Sequence, residues 1–163
     1  GGIDAFVRKY DADGNDVWTR QVKTSSYFMD LSPDVSVDPS GVYIAGYVVG
    51  ALQGQTSAGG PDAYVRKYDF DGNEVWTRQF GTSTNDQAHG ISVHSSGVYV
   101  AGGIWGTFPG QTWSGVNDAF VRKYDPAGNE VWTRQFGSSG IGVGVADVGW
   151  LCQSSSRSRN LPE

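Results

Sequence analysis

A single cysteine, a single methionine and two histidines are all the sulfur and imidazole groups that this chain of 163 residues possesses. The lone Cys152 excludes a disulfide within the chain; its plain role is a small buried apolar residue, with a bridge to another chain as the alternative. His89 and His94 have no partner His, Cys or carboxylate at metal-ligand spacing, so packing or surface roles are assigned to both. No run of about 18 apolar residues is present, which leaves no membrane span. The opening Gly1 to Asp4 carries neither the charged nor the apolar part of a signal peptide. The formal net charge is −5 and the basic residues are spread evenly, which argues against nucleic acid or another polyanion as partner. Leu and Glu, strong helix formers, are scarce, so almost no helix is expected.

Glycine and aromatic residues are abundant instead, and they recur in a repeated phrase. Residues 118–135 read Asp-Ala-Phe-Val-Arg-Lys-Tyr-Asp-Pro-Ala-Gly-Asn-Glu-Val-Trp-Thr-Arg-Gln, and nearly the same words fill 4–21 and 62–79. Self-similarity at such a period marks a repeat architecture. Each copy predicts a hairpin: an alternating strand from Ala5 to Tyr10, a turn around Asp13, Gly14 and Asn15, and a β-prone run from Val17 to Gln21. A glycine free to take positive φ between Asp and Asn is a strong hairpin signal. Because both faces of these strands carry apolar or aromatic groups, the register stays open at this point.

A second hairpin follows each phrase. Val35–Asp38, a turn at Pro39, Ser40 and Gly41, and Val42–Gly46 are matched, 56 residues later, by Ile91–His94, Ser95 to Gly97, and Val98–Gly102. The phrases themselves start 58 and then 56 residues apart, and the two lost residues fall between Val22 and Val35. That segment, polar and containing Pro33, is expected to be a surface connection. Segments 47–61 and 103–117 are the other long loops.

One unit is therefore four short strands in two hairpins with both faces apolar, as in a sheet covered on both sides. The expected fold is all-β: tandem four-stranded antiparallel blades of the β-propeller type, about three repeats of 56–58 residues with almost no helix. A right-handed β-solenoid is the rival, but its coils are shorter and lack paired hairpin turns. Residues 1–137 form the repeats, with a half blade at 4–34 and blades at 35–80 and 91–137; residues 138–163 are a degenerate final hairpin and a tail.

The paired pattern, Asp-Ala-Phe-Val-x-Lys-Tyr-Asp-x-x-Gly-Asn-x-x-Trp-x-Arg-Gln followed by Val-x-Val-x-x-x-Gly-Val-Tyr-Val-Ala-Gly, resembles the bacterial β-propeller repeat labelled SBBP, and the likeness covers residues 4 to 137. That resemblance implies a propeller fold and a secreted or cell-surface bacterial location; it implies no reaction.

No catalytic constellation emerges, and the chain is expected not to be an enzyme or to need a cofactor. The Asp-rich turns at 11–16 and 69–74 start like a calcium loop, yet they lack Gly at the sixth position and Glu at the twelfth, and the third copy has Ala127 in place of the middle Asp. They read as turn chemistry. The triplicated Trp18, Trp76 and Trp132 read as packing between neighbouring units, with a carbohydrate platform as the alternative.

Strand bookkeeping supplies the functional expectation. A chain that opens with the second hairpin of a blade and closes with at most the first hairpin of another has a half blade at each end, and joining copies head to tail completes both. The expected function is thus a non-catalytic extracellular structural protein that self-assembles into a ring or filament. Asp4, Phe6, Val7, Tyr10, Trp18, Val143, Val145 and Trp150 are the expected blade-completion residues. The alternative is a carbohydrate-binding module, in which Trp105, Phe108 and Trp113, aromatics that the repeat does not demand, contact a surface glycan or a partner; a small core of their own loop is the other role open to them.

Overall fold

The computed structural model describes residues 4–24 and 31–139, and among them there are ten strands and no helix. Strands β1 (Ala5–Tyr10) and β2 (Asp16–Val22) pair as a two-stranded antiparallel sheet. A second sheet runs in the order β3 (Leu31–Asp38), β4 (Gly41–Val49), β5 (Pro61–Tyr68) and β6 (Glu74–Phe80). The third repeats that meander with β7 (Asp86–His94), β8 (Gly97–Ile104), β9 (Asp118–Tyr124) and β10 (Glu130–Phe136). By position in the repeat, β1 and β2 are the counterparts of β5–β6 and of β9–β10.

The hairpin turns set the registers. Asp11, Asp69 and Asp125 open their turns, each amide bonding to the carbonyl of Asn15, Asn73 or Asn129, while Gly14, Gly72 and Gly128 take φ of +80° to +83°. Each Asp carboxylate accepts from the amide and the side chain of the Asn four residues on, which holds all three carboxyls below the usual range. These carboxylates are thereby committed to the turn. The strands run further into the connections than expected: β4 reaches Val49, β5 starts at Pro61 and β8 reaches Ile104, while β3 begins at Leu31, so Pro33 lies inside a strand and not in a surface connection. Pairing with β4 shifts between Leu31 and Asp34, and an irregularity of that kind is where a strand tolerates proline.

The core sits between sheets. Tyr43, Ala45, Ala63, Val65, Trp76 and Phe80 from one face of the second sheet pack on Ile91, Val98, Val100, Phe120 and Tyr124 of the third. The opposite face of the second sheet, with Val42, Ile44, Val48, Tyr64 and Tyr68, packs on Ala5, Trp18 and Val22 of the first. This settles the register question: Phe6, Arg8 and Tyr10, and their counterparts Tyr64, Arg66, Tyr68 and Phe120, Arg122, Tyr124, form the front face of each sheet, whereas the Trp, Ala and Val set forms the rear. Strand β7 touches β3, β4 and β5, and side chains of β3 reach its backbone: Ile91 N–H donates to Asp34 Oδ2 at 2.8 Å and Val93 N–H to Ser36 Oγ at 3.2 Å.

A comparison of equivalent residues measures what one neighbouring sheet contributes. Phe80 is buried against Phe108, Phe120 and Tyr124, whereas Phe136, at the same position one unit later, is half exposed. Phe80→Ala should cost about 3–5 kcal/mol in urea unfolding, and Phe136→Ala under about 1 kcal/mol in the monomer. Equal losses would show that the sheet-to-sheet contact is not the source of stability.

Candidate functional site

The junction between successive sheets carries a polar lock built the same way twice. Trp18 Nε1–H donates to the Phe70 carbonyl at 3.0 Å, and Arg20 Nε–H donates to the Gly72 carbonyl at 2.6 Å. One unit later Trp76 Nε1–H donates to Pro126 O at 3.2 Å and Arg78 Nε–H to Gly128 O at 2.7 Å. The donors come from β2 or β6, and the acceptors are backbone carbonyls in the hairpin turn of the following unit. The Trp ring lies beside the tyrosine ending that unit's strand, with centroids 6.1 Å apart for Trp18–Tyr68 and 6.2 Å for Trp76–Tyr124. Glycine is required in the turn on two counts. Its φ is positive, and a Cβ on Gly72 would meet Trp18 at 2.8 Å, while one on Gly128 would meet Trp76 at 2.7 Å.

Both halves of this lock recur at the ends of the stack without a partner among the described residues. At the rear, Trp132 and Arg134 hold the cation–π geometry of the inner pairs, 5.9 Å against 5.5 and 5.7 Å. Trp132 stays only partly buried, beside Tyr99, Ala101 and Val121. At the front, Phe6 is 67% and Tyr10 54% exposed, against 0% for Phe120 and 2% for Tyr124. Arg8 is already set by Asp16 at 3.2 Å and by Thr19, as Arg66 and Arg122 are by Glu74 and Glu130 and by Thr77 and Thr133. A groove runs along β1, lined by Phe6, Val7, Lys9, Val35, Val37 and Ile44. In the third sheet the counterparts of Val35 and Val37 are Ile91, which is buried, and Val93, packed against the same core; here both valines are more than half exposed.

The residues expected to complete a blade divide accordingly. Phe6 and Tyr10 are exposed at the front face, but Val7 and Trp18 turn the other way and belong to the core against the second sheet of the same chain. Asp4 accepts a hydrogen bond from Gln21, a local tie within the hairpin. Val143, Val145 and Trp150, together with Cys152 and the tail, lie outside the described residues. Among the loop aromatics, Phe108 is a core residue wedged between Phe80 and Phe120 and is no surface contact. Trp113 is half exposed and Trp105 partly buried. Gly14, Trp132, Arg134 and Phe136 carry no signal of their own as end-face residues; only their place in the repeat, counted from the inner units, puts them there.

A pair of buried carboxylates sits at the edge of the second junction. Asp62 binds the amide of Ala58 and the side chain of Gln79 through Oδ2, while its buried Oδ1 has no described partner. Asp86 approaches from the next sheet; a Cβ on Gly81 would meet Asp62 Oδ1 at 2.4 Å and Asp86 Oδ2 at 2.8 Å. Burial pushes the Asp86 carboxyl up to about 6, against the pull of the Thr82 hydrogen bonds and with added repulsion from Asp62. Among the described residues no three His, Cys, Asp or Glu side chains gather as a metal site, and no helix is long and apolar enough to cross a membrane.

These features define an all-β protein of tandem antiparallel sheets. No family model matches the chain. Over 105 residues it is 34% identical to the Regulatory protein FlaEY of Caulobacter vibrioides, a match that takes in 60% of this chain but only 11% of that protein.

The Asp86 carboxyl makes a testable pH signature. Its folded pKa of about 6 exceeds the reference 3.8, so the folded state binds more protons between those values. Its contribution is fully favourable below the lower value and is lost as pH rises through the upper one. His89, depressed by burial, acts in the opposite sense as pH falls below 6.5, so the comparison must be differential. The melting temperature of Asp86→Asn should gain on that of the parent as pH rises from about 4 to about 7. A constant difference across that range would refute the assignment.

Proposed function

We propose that this chain is a non-catalytic structural repeat module of the β-propeller type, acting outside the cell or at a bacterial cell surface, whose copies join head to tail into a ring or filament. One observation carries the reading: the same Trp and Arg lock closes both internal junctions, and its donor half and acceptor half stand unpartnered at opposite ends of the described stack. A contact between two different surfaces closes into a ring or runs on as a helix according to the rotation it imposes. The propeller reading is supported by the contacts of β7, which lies close to β3 while also reaching β4 and β5, as a first strand near a common axis does. Edge pairing supports assembly as well, because β1 pairs only with β2 among the described residues and its other edge borders the groove, whose lining mixes valines with Arg8, Lys9 and Asp34. The partial match to a much longer protein fits a module that also works inside larger chains.

The second reading, a carbohydrate-binding module, is favoured by Trp113 alone, a half-exposed ring on a loop and not on a sheet junction. A glycan array separates the two: specific retention that Trp113→Ala abolishes would establish the lectin reading. For the first reading, light scattering at micromolar concentration should give a mass above one chain, with rings or filaments in negative-stain images. A monodisperse monomer would overturn it.

A further inference from the structure

We propose that the rear face of the third sheet is a docking site for the β1–β2 hairpin of a second copy of this chain, locked by Trp132 and Arg134 onto the backbone carbonyls of Ala12 and Gly14. This rests on the self-association reading and specifies the contact that performs it.

The two internal junctions are the template. Counting by the repeat, the acceptor pair Phe70 and Gly72, then Pro126 and Gly128, corresponds to Ala12 and Gly14. The donor pair Trp18 and Arg20, then Trp76 and Arg78, corresponds to Trp132 and Arg134. The donors are already in place, since the Arg134 guanidinium lies over the Trp132 ring as its counterparts do, and Arg134 Nη1 donates to the Thr133 carbonyl at 2.9 Å as Arg78 Nη1 does to Thr77 at 2.8 Å. Little ordering is left to be done on binding. The acceptor turn has the same backbone, with φ of +83° at Gly14 and the same Asp11 to Asn15 bonds.

The glycines provide an independent mark of the vacancy. A Cβ on Gly72 or Gly128 would strike a tryptophan of the preceding sheet, but one on Gly14 would meet nothing within 4 Å among the described residues. Gly14 is exposed where Gly72 and Gly128 are buried. Among the described residues, the space that an indole fills twice inside the chain is open at this end, and an indole without its acceptor stands at the other. The apolar partners correspond too. Tyr10 takes the place of Tyr124 beside the indole, and Arg8 takes that of Arg122, which lies 4.2 Å over the Phe80 ring, so that it faces the exposed Phe136. A second copy is therefore the occupant whose surface already matches.

The contact joins unlike surfaces, so each can be disabled separately. Gly14→Asn keeps a residue tolerant of positive φ while filling the indole's space. Arg134→Glu places an acceptor against acceptors. Sedimentation velocity of the full chain at tens of micromolar should show the parent associating and each variant falling to monomer. An equal mixture of the two variants should form a heterodimer that grows no further, because one intact front and one intact rear remain; that dimer also shows that both variants are folded. If the parent associates and either variant associates equally well, the lock is wrong while self-association stands. If the mixture stays monomeric although each variant melts cooperatively near the parent, the head-to-tail pairing is wrong. A parent that is monomeric throughout overturns both this contact and the reading it rests on.

Discussion

The structure depends on a backbone turn whose carbonyls point back at the preceding sheet. Gly14, Gly72 and Gly128 each take a conformation that side-chain-bearing residues resist, and in the second and third of these turns two backbone carbonyls accept hydrogen bonds from the preceding sheet. Where a sheet precedes, an indole N–H and a guanidinium meet them, and a hydrogen bond from a charged donor is worth about 1.5–3 kcal/mol net. Ring burial in the same junction is larger, since each fully buried aromatic contributes several kcal/mol on truncation. The apolar surfaces thus supply the strength of the stack, and the polar lock supplies its offset: a slipped sheet would leave Arg78 without its acceptor while keeping most of the grease. Burial alone has no such preference for one alignment.

Within each unit a second network fixes the long loop. Gln79 bonds Asp62 and the Gly50 carbonyl through its amide nitrogen and receives the Leu52 amide on its oxygen, and Gln135 does the same with Asp118, Gly106 and Phe108. Gln55 and Gln111 accept, on their side-chain oxygens, the backbone amides of those glutamines. Loops that differ in most of their residues are held in one shape by three shared side chains each. Leu52 and Phe108 are the plugs that this shape delivers to the core, one aliphatic and one aromatic, at the same place.

Much of the fold was legible because its signals are local: a glycine between Asp and Asn in a turn, alternation on either side, and a phrase said three times. What sequence pattern could not supply was the assignment of faces. Every strand of the phrase is apolar or aromatic on both sides, so alternation does not say whether Tyr64 or Val65 looks forward, and only packing against a particular neighbour decides. The same gap places Val7 and Trp18 among the blade-completion residues, although both pack inside the chain, Trp18 as the packing reading of the tryptophans expects; the repeat pattern likewise leaves open whether Phe108 is a contact or a core residue, and burial makes it core. Pro33 points to a loop because proline ordinarily ends pairing; the irregular register at Leu31 to Asp34 accommodates it in a strand. The end faces were hidden for a different reason: Phe80 and Phe136 are the same letter in the same phrase, and their difference in exposure lies wholly in what stands next to them.

The lock addresses main-chain oxygens, and this has a consequence for how such a chain can vary. The residue whose carbonyl meets the indole is Phe70 in one turn and Pro126 in another, with the counterpart Ala12 in the first, three side chains with nothing in common. Adjacency is therefore encoded by a glycine and a peptide geometry and not by a matched pair of side chains that would have to change together. The polar part of the joint is thus indifferent to the side chain at that turn position, and variation there leaves the alignment of neighbouring sheets untouched so long as the glycine and the indole are kept.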